Sequence, residues 1–283
     1  MEFFEAIFNH TFMLYAFLAC LLAGVVSGVI GTYVVTRKIT YLAGAIAHSV
    51  LGGMGIVHYY SVVYELPWLH PLYGAIVAAI AAAITIALVS IKAKEREDTV
   101  IGAIWAIGMA VGILFIARTP GYNEELMSYL FGNILMVGQF DLLLIGILDA
   151  IVIIFVFIFY NQLQAVCFDE EFARIRGVRT NLIYLLLLIV TALTVVILVT
   201  VVGIILVIAL LTLPSAIAGR YTRNLWQTMI LSSSLAVIFS ITGLGLSYAT
   251  NLPSGPTIII VTGFIYLLLI ISPRLSGLRK KGL

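Results

Sequence analysis

Two ionisable side chains sit deep inside long apolar stretches of this 283-residue chain: His48, within 40–60, and Asp149, within 140–160. Ionisable groups among lipid-like surroundings are costly and therefore carry functional weight. Counted along a helix at about 1.5 Å per residue, His48 lies ~12 Å in from Thr40 and Asp149 ~13 Å in from Phe140. A neutral imidazole and a carboxylate at one depth suit a transient site for a borderline divalent cation. They equally suit a proton relay, or plain hydrogen bonds to neighbouring helices.

The elements that must carry these groups are helical spans. Hydrophobic residues make up 63% of the chain, charged residues 10%, and the mean hydropathy is +1.17, too apolar for a surface facing water. Backbone polar groups in lipid must be satisfied internally, which leaves helices for runs of about twenty residues. Such runs fall at 11–35, 40–60, 71–91, 100–117, 140–160, 182–202, 204–218, 226–248 and 256–272. The chain is expected to be an all-α polytopic membrane protein of about nine transmembrane helices, forming a single domain over 1–283. The count becomes eight if 182–218 is one long span.

The basic residues decide between these counts. With nine spans, Arg37, Lys38, Lys92, Lys94, Arg96, Arg174, Arg176, Arg179, Arg220, Arg223, Arg274, Arg279, Lys280 and Lys281 share one side, leaving Arg118 on the other. The positive-inside bias makes that side cytoplasmic, with the N-terminus outside and the C-terminus inside. Two spans with a tight turn near Val201-Val202-Gly203 are therefore expected, the second kinked at Pro214.

Other features exclude function classes. There is no GxxxxGK[ST], HExxH, CxxC or GxSxG motif, and the longest polar stretch is too short for a soluble catalytic domain. Cys20 and Cys167 make no disulfide framework, and the acidic start Met1-Glu2-Phe3-Phe4-Glu5 lacks a signal peptide's basic region. A net charge of +2 gives no reason to expect nucleic acid. Gly24 and Gly28 form a GxxxG, read as packing within the chain, with a self-dimer face as the alternative. His58, Glu65, His70 and the pair Glu124-Glu125 belong to outer loops and are read as solvated.

Between the fifth and sixth spans, residues 161–181 form the most polar segment. Asp169 suits an N-cap, Glu170 and Glu171 the positive end of a helix, Arg174 and Arg176 its negative end, and Gly177 a left-handed closure. A short capped helix is expected, offering Phe168, Phe172 and Ile175 as apolar contacts. Acid at one end and base at the other suit docking into a cleft of another protein better than adhesion to anionic lipid.

Five stretches carry a family resemblance: 41–50 (Tyr41 to Val50, including His48), 129–135, 168–178, 202–216 and 252–257. In this order and spacing the chain resembles the permease subunit of bacterial ABC importers for zinc, manganese or iron, the ABC-3 group. The resemblance implies a bacterial cytoplasmic-membrane protein with no tightly bound cofactor and no enzymatic chemistry of its own. It implies a second permease copy, two cytosolic ATPase subunits and an extracytoplasmic metal-binding protein as partners. The segment near 165–180, with Phe168, Asp169, Glu170, Phe172, Arg174 and Gly177, takes the ATPase-coupling role. His48 matches the histidine of the family's Asp-x-x-x-His pathway motif, whereas the aspartate position holds Gly44. Either His48 from each protomer forms a weaker site, or Asp149 supplies the carboxylate from another helix. The alternatives are a siderophore or cobalamin importer permease and a proton-coupled carrier using His48 and Asp149. Paired repeats that such carriers often show are not evident.

Overall fold

A computed structural model describes residues 2–92, 97–120, 132 and 134–271. Within them the elements are helical: α1 (Glu2–Asn9), α2 (Thr11–Thr36), α3 (Thr40–Val63), α4 (Pro71–Lys92) and α5 (Glu97–Arg118) come first. A single 3₁₀ turn at Ile134–Met136 precedes α6 (Gln139–Phe168), α7 (Glu170–Ile175), α8 (Thr180–Val202), α9 (Ile204–Tyr221), α10 (Leu225–Thr250) and α11 (Ser254–Ile271). Among the described residues nine helices are long and apolar enough to cross a membrane, namely α2–α6 and α8–α11. The Glu124-Glu125 pair, Lys94, Arg96 and the basic tail from Arg274 lie outside the described residues.

The fragile stretch at 182–218 divides as the basic residues require. Gly203 alone separates α8 from α9, with φ +83° and ψ 162°, a conformation side chains disfavour. The two helices then run back to the same side. Tyr184, at the start of α8, lies beneath the Arg37 guanidinium at 5.2 Å, while Leu211 and Ser215 of α9 touch α2 at Gly31. Pro214 sits inside α9 and is buried.

Packing places most of the basic loops together. Arg37, at the end of α2, pairs with Glu170 of α7, and Arg220 lies 5.9 Å over the Tyr266 ring of α11. Tyr266 in turn shares a cavity with Thr40 and Tyr41 at the start of α3. Arg118 ends α5 at the opposite face, where Tyr60, Tyr64 and Trp68 are exposed, as aromatic residues at a membrane boundary commonly are.

Two interfaces organise the bundle. Helix α2 packs on α10, where Gly24 and Gly28 meet Val237 and Ser233, and the Ser233 hydroxyl donates to the Val25 carbonyl at 3.1 Å. The GxxxG thus serves packing within the chain. Helix α3 packs chiefly on α5 and α4 and is the most enclosed of the nine spans. Its residues from Leu42 through Gly55 are all buried.

Candidate functional site: a buried imidazole and a polar latch

The centre of the site is His48. Eight residues into α3, it is 9% exposed, and its Nδ1 has no hydrogen-bond partner among the described residues. An unsatisfied buried polar atom costs about 1–3 kcal/mol, so the surroundings of this ring bear on its role. Trp105 of α5 stacks on it, with ring centroids 4.8 Å apart and planes 24° from parallel. The indole also covers Gly44, one turn earlier on the same face of α3. A Cβ at position 44 would collide with the six-membered ring of Trp105. The place where the resemblance puts an aspartate is therefore filled by an aromatic side chain from the neighbouring helix.

Asp149 occupies a different part of the bundle. It is buried on α6, with Oδ1 unpartnered among the described residues, and α6 packs on α2 and α8 rather than on α3. Helix α6 begins where the apolar run begins but extends further than that run at its other end. Helix α6 continues through the polar residues Asn161, Gln162 and Gln164 to Phe168, and Arg37 donates to the Val166 carbonyl at 2.8 Å. From that level Asp149 is about 25 Å along the helix, whereas His48 is about 12 Å from Thr40. Within one chain His48 Nδ1 and Asp149 Oδ1 are each left without a partner among the described residues, so the two groups are not joined directly. Among the described residues no cluster of three His, Cys, Asp or Glu side chains is arranged around a common point.

The polar segment folds as its residue types predict. The Asp169 carboxylate accepts from the Phe172 amide at 2.9 Å and caps α7. At the other end Gly177 adopts φ +83°; its amide reaches the Arg174 carbonyl and the Val178 amide the Ala173 carbonyl, both at 3.0 Å. This pair of bonds closes a short helix in a Schellman turn. Phe168, Phe172 and Ile175 are exposed, Ile175 at 84%, and Arg176 lies 5.1 Å over the Phe172 ring.

The tie that fixes α7 to the bundle has no signature in the sequence. Arg37 donates to Glu170 and to the Val166 carbonyl while stacking over Tyr184. Glu170 also receives Arg174 at 3.4 Å. One guanidinium thus joins the ends of α2 and α6 to the starts of α7 and α8. Three residues later α3 begins, carrying His48.

Of the outer-loop groups, His70 uses Nδ1 to accept from the Leu72 amide at 3.2 Å, capping the start of α4. Glu65 stands in an exposed turn with φ +52°. Both fit the solvated-loop reading.

Comparison with known proteins agrees with this architecture. The model of the ABC 3 transport family matches residues 9–272. A protein of Chlamydia trachomatis described as a probable metal transport system membrane protein is 42% identical over 257 residues, 91% of this chain and 87% of the relative. The manganese transport system membrane protein MntC of Listeria monocytogenes is 33% identical over 278 residues, covering 98% of this chain and 96% of that one. Among solved structures, PsaBC from Streptococcus pneumoniae in complex with Fab superposes with a TM-score of 0.85 at 29% identity, covering 99% of both chains. With nine candidate spans among its described residues, packed around one enclosed, histidine-bearing helix, the chain thus belongs to the ABC 3 transport family, as the membrane-spanning permease of a metal ABC transporter.

Proposed function

We propose that this permease imports a divalent transition-metal cation across the bacterial cytoplasmic membrane, with manganese favoured over zinc or ferrous iron and ATP as the energy source. The observation that carries this reading is the His48 ring, enclosed partway through the most buried span with Nδ1 unpartnered among the described residues. A neutral imidazole is a ligand for such cations. A pathway ligand must hold its ion weakly enough to release it, and a single imidazole per chain meets that requirement where a closed cage would not. The Listeria relative, a manganese transport system membrane protein, supports manganese as the cargo.

In this reading the basic side is cytoplasmic. Two permease copies form the pathway, an extracytoplasmic binding protein delivers the cation, and two cytosolic ATPase subunits dock on Phe168, Phe172 and Ile175 around the α7 helix. The ATPases perform the bond chemistry; the permease moves. ATP-driven closure would displace α7, and the Arg37–Glu170 tie would pass that displacement to the corner from which α3 departs. His48 would then face the two sides of the membrane in turn.

The test is uptake of radioactive manganese in cells expressing the complete transporter and lacking other manganese importers. His48→Ala should reduce uptake at saturating ATP by at least about tenfold, in line with loss of a metal ligand. Wild-type uptake by that variant, at equal abundance in the membrane, would overturn the assignment.

A further inference from the structure

On the basic side of the bundle a cavity of about 370 Å³ opens between the first turns of α3 (Thr40, Tyr41, Gly44) and α9 (Ile208, Thr212, Ala216). It is an open cleft with a largely apolar lining, Val35, Ile208 and Leu213 among it, and Thr40, Tyr41 and Thr212 supply hydroxyl groups. Trp105 forms part of its wall, and His48 does not. The same indole is stacked on the His48 ring and fills the space above Gly44. It therefore stands between the imidazole and the cavity.

The helix that carries Trp105 is packed on one side only. Helix α5 is held mainly by α3 and touches α4 only slightly, and most of its surface lies outside the chain's own packing. Towards its far end it meets α3 backbone to backbone, with Gly108 against Ser49 and Gly112 against Leu51. On the basic side of Trp105, a Cβ at Gly102 would meet nothing within 4 Å. The far end is thus close-packed on α3, while on the basic side Ile101 is buried in the core and Gly102 faces open space. The flat indole lies between these two stretches.

We propose that Trp105 is the inner gate of the cation pathway: stacked on His48 it closes the passage to the cavity, and swinging away it opens it. The gate's role in metal import rests on the function proposed above, but its closure of the passage is a property of the fold. Gly44 belongs to the same device, because any side chain there would displace the indole from its closed position. Trp105 does not bind the cation; it determines when a cation at His48 can leave.

Accessibility tests the gate independently of the cargo. In full-length chains carrying Cys20→Ala and Cys167→Ser, His48→Cys is challenged with a membrane-impermeant maleimide in vesicles that expose the basic loops. The indole fills the Gly44 space whether or not an imidazole lies behind it, so the thiol introduced at position 48 should label slowly. Labelling rate follows the fraction of time the passage is open, so adding Trp105→Ala should raise it by about tenfold or more, and Trp105→Phe by less. Thr212→Cys, on the cavity wall, should label quickly with any of the three residues at 105, which also reports that each variant is folded. Equal labelling at 48 with Trp, Phe and Ala at 105, while Thr212→Cys labels normally, would overturn the gate. If the labelling difference is found but His48→Ala transports manganese normally, the gate stands and the cation reading falls.

Discussion

Arg37 and Glu170, 133 residues apart in sequence, form the ion pair that fastens the short polar helix α7 to the corner between α2 and α3. The guanidinium also donates to the Val166 carbonyl and covers the Tyr184 ring, so one side chain holds four helix ends. Arg37→Ala and Glu170→Ala should each lower transport-coupled ATP hydrolysis, and the double variant should be no worse than the more severe single. A coupling free energy of about 0.5–3 kcal/mol is expected for residues in direct contact. Additive losses in a double-mutant cycle of thermal stability and ATPase stimulation would show that the pair does not work as a unit.

The exposed face of α7 offers a contact whose loss should not disturb the fold. Phe172 and Arg174 are both exposed, and surface changes of this kind shift stability by about 0.5 kcal/mol or less. Replacing both with alanine should leave the permease's melting temperature nearly unchanged while uncoupling ATP hydrolysis from transport. Normal coupling would remove the segment from the mechanism.

Gly44→Asp would supply the carboxylate that the resemblance expects, yet in this chain it meets Trp105. The single substitution should destabilise the permease by about 1–3 kcal/mol, as overpacking of a filled site does. Gly44→Asp combined with Trp105→Ala should recover stability and retain more manganese after purification than the wild type, read by elemental analysis. Equal or poorer metal retention in the double variant would mean that position 44 does not face the cation.

Asp149 provides the contrast to His48. Because α6 packs on α2 and α8, Asp149→Asn should leave manganese uptake within about twofold, while removal of the His48 ring should reduce it about tenfold or more. A loss of uptake comparable to that of His48→Ala would bring Asp149 back into the pathway.

Gly203 is the last test. An alanine at φ +83° and ψ 162° carries about 1–3 kcal/mol of backbone strain. Gly203→Ala should lower the melting temperature and the amount of folded protein in the membrane. An unchanged melting curve would show that the turn tolerates another conformation.

Much of this architecture was legible because lipid imposes simple rules. Among the described residues the nine apolar runs became nine long helices, and the distribution of Lys and Arg correctly divided 182–218 at Gly203. The caps at Asp169 and Gly177 were equally readable, since capping depends on residues a few positions apart. Depth was not. The run at 140–160 ends where apolarity ends, whereas the helix continues to Phe168, so the level of Asp149 in the bundle could not be counted from that end. Trp105 escaped notice because an aromatic residue in an apolar run is ordinary; its meaning comes from Gly44 and His48 on another helix. Arg37 and Glu170 were each visible as charges near the membrane surface, but nothing local could join them.

The junction at Gly203 has one more consequence. Val201, Val202, Gly203 and Ile204 are all buried, and the backbone at Gly132 presses directly on Val202. There the chain reverses beneath its own surface, so the turn itself offers no handle for an antibody, a protease or an inserted tag. Any tag or label for the Gly203 turn must therefore be carried by a neighbouring segment whose side chains are exposed, such as the stretch around Trp68.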